Sequence, residues 1–236
     1  MPEEISGLSR SVEDYLKVIY SLSPSGDAVS TSTIADALEV QPASVTGMVK
    51  RLAESAFLEH VPYRGVQLTE AGTREALRVL RRHRILETYL TERLDYPWED
   101  VHREAERLEH AASDTLIQRM DDALGNPSHD PHGAPIPTES GEIESTDSLT
   151  LAELGEGVDA QVRAVRDDDS RGLRTVEEAG LLPGTRVRVV GRNRTRGVLE
   201  FRVEASPDPP SRISMDVARR VYVVPLPIPR GGVRGT

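Results

Sequence analysis

The chain has no cysteine in its 236 residues, which excludes disulfides, thiolate zinc sites and cysteine nucleophiles and fits a reducing compartment. Any metal it holds must take nitrogen and oxygen ligands. No apolar run approaches the roughly 18 residues that a membrane span needs, and residues 1–30 contain no basic segment followed by an apolar one. The expectation is a soluble, cytoplasmic protein with no membrane partner. Positive charge is also short: Lys and Arg number 29 against 39 Asp and Glu, for a formal net charge of -10. Such a surface disfavours indiscriminate binding to polyanions. A nucleic-acid role would need locally clustered Lys and Arg, or acidic groups neutralised by bound cations. The His-Glu-x-x-His pattern, the nucleophile elbow and the phosphate-binding loop are all missing, as is any repeat of solenoid length.

What is present begins with "SRSVEDYLKVIYSL", residues 9–22, where Val12, Tyr15, Leu16, Ile19 and Leu22 recur at helical spacing. In "VSTSTIADALEVQPASVTGMVKRLAESAFL", Ile34, Ala35 and Leu38 mark one short helix and Val45, Met48, Val49 and Leu52 another. The break between them is tight, and Pro42 suits the first turn of the second, so the pair reads as a helix-turn-helix. "FLEHVPYRGVQLTEAG" adds two extended runs, Leu58 to Val61 and Val66 to Leu68, around the turn Tyr63-Arg64-Gly65. That is a wing. A winged helix-turn-helix predicts Gln41, Ser44 and Thr46 at base edges, Lys50 and Arg51 near phosphates, and Arg64 at the wing tip. Gly47 sits where a long side chain would reach a base, which moves specificity toward DNA shape. The competing reading is a trihelical packing unit that binds no DNA.

Thr69 can cap a long helix reaching about Leu94, and "PWEDVHREAERLEHAASDTLIQRMDDAL" predicts a second that stops at Gly125. His83 and Glu87 share a face of the first. On the second, His102, Glu106, Glu109 and His110 fall within one quadrant beside the apolar stripe Val101, Ala105, Leu108 and Ala112. One Glu–His pair is ordinary surface polarity. Several coinciding sets, with Asp14 on the first helix able to join them, form an acid cluster that repels itself without a cation; imidazole with carboxylate favours a divalent transition metal over calcium. Arg78, Arg81, Arg82 and Arg84 read as the solvated face of a long helix, paired with Glu75 and Glu87, with a phosphate contact as the alternative. Tyr96 and Trp98 read as core or interface residues, and His129 and His132 of "HDPHG" as turn chemistry, with a metal site as the alternative. The Pro-, Gly- and Ser-rich stretch after Leu124 reads as a linker, with the boundary at 141–148. Beyond it "VDAQVRAV", "TRVRVVGR", "GVLEFRVE" and "RVYVVPL" predict a small all-β barrel. The expected segments are 1–72, 73–140, the 141–148 linker and 149–228.

Taken together, "SVEDYLKVIY", "TSTIADALEVQPASVTGMVKRL", "YRGVQLTEAG", "RRHRILETYL", "REAERLEHAASD" and "LGNPSHDPHGAPIP" resemble the diphtheria-toxin-repressor family of metal-dependent transcriptional regulators. The tail, with "LAELGEGVDAQVRAV" and "AGLLPGTRVRVV", is similar to the SH3-like, FeoA-type domain that many members carry. The resemblance implies a mainly α chain: a winged helix-turn-helix, a helical metal-binding and dimerisation domain, and an SH3-like barrel. It further implies a homodimer that binds double-stranded operator DNA when loaded with metal, takes no small organic substrate and is not an enzyme. By position, Asp14, Glu106, Glu109 and His110 look like the primary ligands and His83, Glu87 and His102 like an ancillary set. Asp168 and Asp169 are the nearest C-terminal candidates for the latter, with Gly172 where a polar ligand would be expected. The iron branch has Met and Cys where this chain has Asp14 and Glu106, so the resemblance implies Mn2+ as co-repressor of metal-uptake genes, with Fe2+ or another divalent transition metal as the alternative. Lys17 stands where the manganese branch can have a further glutamate. Alternatives from other classes are a metal-binding enzyme and an interaction protein with a vestigial helix-turn-helix.

Overall fold

Helix α1 (Arg10–Leu22) turns Val12, Tyr15, Leu16 and Ile19 into one apolar core with Ile34 and Ala35 of α2 (Thr31–Ala37) and Val45, Val49 and Leu52 of α3 (Pro42–Glu54). The structure is a computed structural model and describes residues 8–145, 148–166, 169–193, 195–204 and 209–227. Ser30 caps α2 by accepting the Thr33 N–H at 3.1 Å, and Pro42 opens α3 where a missing N–H costs nothing. Strands β1 (Leu58–Val61) and β2 (Gly65–Leu68) pair antiparallel from Leu58 with Leu68 to Val61 with Gly65, and Val29 bridges to Val66. Leu58 and Val66 reach back into the same core, so the wing is packed against the helices.

Thr69 caps α4 (Glu70–Leu94) as expected, its hydroxyl accepting the Gly72 N–H at 3.0 Å. The single helix predicted to run on to Gly125 is instead two, α5 (Val101–Leu108) and α6 (Asp114–Leu124). Ser113 accounts for the break: its hydroxyl accepts the Leu116 N–H at 3.2 Å and starts a new helix inside the apolar pattern. Glu109 and His110 therefore sit in the turn after α5, not on a helix face with His102. Ile85 and Leu86 of α4, Ala105, Ile117 and Ile136 form a second core.

The first half of the expected linker is packed. Asp130 Oδ1 accepts the N–H groups of His132 and Ala134, each at 2.9 Å, and His129 bridges to Pro135. This is the turn chemistry that "HDPHG" suggested. His132 is buried, stacks on Trp98 at 5.2 Å between ring centroids, and has Nε2 2.8 Å from the Trp98 carbonyl oxygen.

After Leu149 the chain forms a six-stranded, wholly antiparallel sheet in the order β3-β8-β4-β5-β6-β7. The strands are β3 (Leu149–Thr150), β4 (Asp159–Val165), β5 (Arg186–Asn193), β6 (Val198–Val203), β7 (Ser211–Ser214) and β8 (Val221–Pro225). Two helices that the strand pattern did not show, α7 (Ser170–Glu178) and α8 (Met215–Ala218), contribute Leu173, Val176 and Ala218 to its core with Val162, Val189, Leu199 and Phe201. The chain divides into two compact units: one holds the residues up to Tyr89 with Glu104–Ser128 and Ile136–Glu144, the other Leu90–Arg103, His129–Pro135 and the residues from Ser145. Among the described residues no helix is long and apolar enough to cross a membrane.

Gly65 provides a direct test of the wing. Its φ is +118°, and a Cβ there would lie 2.0 Å from the Val29 carbonyl oxygen. Gly65→Ala should therefore lower stability by about 1–3 kcal/mol, seen as a lower urea midpoint; an unchanged midpoint would mean that the Val29–Val66 pairing is dispensable.

Candidate metal centre and nucleic-acid interface

The first unit gathers acids and imidazoles from α1, α4, α5 and the turn after α5. The ligand atoms of Asp14, Glu109 and His110 lie within 4.8 Å of one another. Asp14 Oδ1 is 2.8 Å and Glu109 Oε1 3.2 Å from His110 Nε2, yet that buried nitrogen makes no well-aligned hydrogen bond. The other ring nitrogen is spoken for: Nδ1 lies 2.6 Å from Glu13 Oε2. A carboxylate only accepts, so Nδ1 carries the hydrogen and Nε2 is the atom aimed at the two oxygens. Neutral, that nitrogen would point a lone pair at anionic oxygens, a situation relieved by a proton or by a metal ion.

Glu106, expected with this set, meets it through Lys17. Its Oε1 lies 2.6 Å from Lys17 Nζ, which is also 2.6 Å from Glu109 Oε1. His83 likewise belongs to the same network: Nδ1 is 2.6 Å from Glu109 Oε2 and Nε2 2.9 Å from Glu87 Oε1. Glu109 is thus shared by both expected ligand sets. His102 stands on the first turn of α5, half-buried, one turn before Glu106. Asp169 caps α7, accepting the Arg171 N–H at 3.1 Å, and lies 3.6 Å from Arg220; Asp168 lies outside the described residues. A Cβ at Gly172 would meet Asp169 Oδ2 at 2.9 Å, so the glycine makes room for this cap.

Sequence reasoning missed Glu13, whose place beside the predicted ligand Asp14 was the available signal. Glu13 also accepts from Arg82 at 3.2 Å, and Arg82 in turn donates to Asp114 at 2.9 Å. The arginines are therefore no solvated face. Arg82 is only 4% exposed, Arg81 donates to Asp121 at 2.5 Å and to the Pro137 carbonyl at 2.8 Å, and Arg78 pairs with Asp114 and Glu75. Acids from α1 and α6, remote in sequence, are what draw them inward.

Burial disfavours charge on these groups, but their partners outweigh it. Burial lowers the His83 pKa, and Glu87 and Glu109 raise it to about 9. Burial lowers that of His110 too, and Asp14, Glu109 and Glu13 bring it to about 11. Burial raises Glu109, yet His110, His83 and Lys17 hold it well below the usual carboxylate range, while Glu109 and Glu106 keep Lys17 above its ordinary value despite its burial.

The nucleic-acid candidates fall on one exposed helix and the wing. Gln41 precedes α3 without a side-chain capping bond, and Ser44 is exposed. Thr46 folds its hydroxyl back onto the Pro42 carbonyl at 3.1 Å. Lys50 and Arg51 are exposed, within 3.9 Å of Glu54 and 2.9 Å of the Met48 sulfur respectively. Open space surrounds Gly47. Arg64 is exposed at the wing turn beside Tyr63, a fully exposed aromatic at φ +63° that the sequence reading used only as a turn residue.

Both imidazole pKa values lie above the 6.5 of the unfolded chain, so their stabilisation is complete below about 6.5 and is lost as pH rises through 9 and then toward 11. The melting temperature of the chelator-treated protein should fall from pH 6.5 to 10, and fall less in His83→Gln. A flat calorimetric profile over that range would show that neither imidazole holds its proton.

Family models match in three consecutive blocks: the iron dependent repressor N-terminal DNA binding domain at residues 7–66, the iron dependent repressor metal binding and dimerisation domain at 69–138, and the FeoA domain at 149–225. The iron-dependent repressor IdeR of Mycobacterium leprae is 32% identical over 197 residues, which is 78% of this chain and 86% of that one. The HTH-type transcriptional regulator MntR of Oceanobacillus iheyensis is 38% identical over 114 residues, 48% of this chain and 77% of that one. Among solved structures, a manganese-dependent transcriptional repressor in complex with manganese is 36% identical with a TM-score of 0.85, covering 91% of this chain and all of that one. The chain belongs to the iron-dependent, or diphtheria-toxin, repressor family of metal-dependent DNA-binding transcriptional regulators, with a C-terminal FeoA domain, and not to a family of enzymes.

Proposed function

We propose that this regulator is a cytoplasmic, homodimeric repressor of metal-uptake genes that uses Mn2+ as co-repressor, held by Asp14, Glu109 and His110. The observation that carries the reading is His110 Nε2, buried, turned by Glu13 toward two carboxylate oxygens and without an aligned hydrogen bond. A divalent ion there would supply the positive charge that lets these groups stay together. The donors are hard oxygens and one imidazole with no thiolate, a set that suits manganese better than later, softer-ligand metals. The manganese-dependent repressor of similar fold supports the same choice. The iron-dependent relative in Mycobacterium leprae keeps Fe2+ as the second reading. His83, Glu87 and His102 remain candidates for an ancillary site, and Glu106, which pairs with Lys17, remains a candidate for the primary one.

Coupling to DNA follows from what α1 touches. Asp14 stands on the polar side of the helix whose Leu16 and Ile19 pack in one core with Val45, Val49 and Leu52 of α3. Fixing Asp14 against the turn after α5 therefore fixes the angle at which α3 is presented. In a dimer, two such helices engage operator half-sites only when their spacing matches the duplex, so the metal-free chain populates competent spacings rarely. By linkage, operator DNA tightens metal binding by the same factor that metal tightens DNA binding.

Mobility-shift titration with and without MnCl2 tests the reading. Asp14→Ala should leave a folded protein that has lost most metal-activated binding; full manganese-induced retention by that variant would place the coupling elsewhere. A parallel titration with Fe2+ under anaerobic conditions separates the two metals, since equal activation would remove the preference. Arg64→Ala should weaken binding across sequences and reduce the slope of log affinity against log salt by about one unit. An unchanged slope would take the wing off the phosphate backbone.

A further inference from the structure

The wing tip carries a residue that its own turn does not favour. The Arg64 N–H donates to the Val61 carbonyl at 3.1 Å, closing a four-residue turn with Pro62 second and Tyr63 third. Tyr63 has a φ of +63°. Proline second and a positive φ third mark a type II turn, where glycine or asparagine ordinarily takes the third place because a larger side chain is strained there. Burial does not compensate the tyrosine: it is fully exposed, whereas Leu94, the next most exposed large apolar residue among those described, is 55% exposed. A lone exposed aromatic is ordinary, and left-handed backbone on a bulky residue is rare. Here the two coincide on a rigid support, since Leu58 and Val66 anchor the wing in the core and Gly65 lies against the Val29 carbonyl. Strain of this kind, unrepaid by packing, points to a contact outside the chain.

We infer that Tyr63 enters the DNA minor groove beside each half-site and supplies a sequence preference that α3 does not. This rests on the DNA-binding role of the family and on no choice between the metals. Helix α3 has few groups long enough to reach base edges: Ser44 is short, Thr46 turns its hydroxyl onto the Pro42 carbonyl, and Gly47 leaves open space. With α3 in the major groove, the wing tip lies over the neighbouring backbone and minor groove. Arg64, a cation, answers the phosphates. Tyr63 carries no charge and releases no counterion, and its planar ring suits the apolar sugar walls of a groove about 6 Å wide. The floor of that groove offers only acceptors at A·T pairs, which a phenolic hydroxyl can donate to, while the guanine amino group of a G·C pair would compete as a second donor. On a fixed backbone with two side-chain torsions, the ring loses little freedom on contact. The ligand is therefore duplex DNA with A·T pairs flanking the positions that α3 faces.

The test uses the full chain with Mn2+, or with Fe2+ under anaerobic conditions, and a random-sequence duplex library from which bound DNA is selected and sequenced. Wild type is compared with Tyr63→Asn, because asparagine accepts the left-handed backbone. Both should enrich one central motif, and only wild type should enrich flanking A·T pairs. On the selected duplex, A·T to G·C changes at those flanks should cost wild type about tenfold in affinity and the variant less than about twofold, with equal slopes of log affinity against log salt. The urea midpoint of Tyr63→Asn should match or exceed that of wild type, since the strain is relieved. Flanking preference kept by Tyr63→Asn, or a midpoint that falls while DNA binding is unchanged, would overturn the inference. Arg64→Ala should lower the salt slope and keep the A·T preference; loss of that preference in Arg64→Ala, with Tyr63→Asn retaining it, would make the arginine the reader instead. A wild-type motif without flanking preference removes Tyr63 alone, whereas a wild-type chain that enriches no motif with either ion removes the regulator reading and Tyr63 with it.

Discussion

A carboxylate removed from water must be matched by positive charge or hydrogen bonds, and three of them, Glu13, Glu87 and Glu109, are 3%, 0% and 0% exposed here. Nearly every polar feature of the first unit answers that requirement. Arg82 and His110 divide Glu13 between them, His83 joins Glu87 to Glu109, and Lys17 joins Glu109 to Glu106. These pairs link the core built on α1, α2 and α3 to the core built on α4, α5 and α6. The seam between the two is ionic, so its strength responds to charge, and a divalent ion is a charge that can come and go.

The break after Leu108 decides where Glu109 and His110 sit. Had α5 continued as one helix, Glu109 and His110 would have stayed on its surface with side-chain directions fixed by the helix. With α5 ended and Ser113 starting α6 afresh, the intervening turn lets Glu109 bury completely while His110 faces α1. Arg82 provides a tie that needs no metal, holding Glu13 of α1 and Asp114 of α6 at once. That tie holds α1 near the cluster independently of any ion.

Much of this was legible in the sequence because periodicity and turn chemistry act locally. The winged helix-turn-helix follows from Val45, Val49 and Leu52 at helical spacing, from Pro42 and from the glycine turn at Gly65. The antiparallel strands follow from alternation in "DAQVRAV" and "VLEFRV". The acids and imidazoles that cluster here were visible by type, on segments whose periodicity made them helical. What stayed hidden was pairing across the fold. The inward turn of Arg81 and Arg82 depends on Asp121, Asp114 and Glu13, which no window around residues 78–84 contains. Glu13 was masked by its neighbour Asp14, and the pairing of Glu106 with Lys17 required knowing which carboxylates a buried ammonium would choose. The split of the long amphipathic run was visible only as Ser113-Asp114, a capping signal outvoted by an apolar stripe that continued through it.

The chain passes between its two compact units at residues 89/90, 103/104, 128/129, 135/136 and 144/145, the first two of them well before the stretch that composition marks as a linker. Trp98 packs on the core of the C-terminal sheet, and the His132 carbonyl accepts the Val165 N–H at 2.8 Å. A Cβ on Gly133 would meet the Arg163 carbonyl oxygen at 2.1 Å, so the loop lies flat against β4 with no room for a larger residue. The FeoA domain is thus not a bead threaded on the end of a finished regulator. Severing the chain near residue 148 would strip an indole and a buried imidazole of their covering.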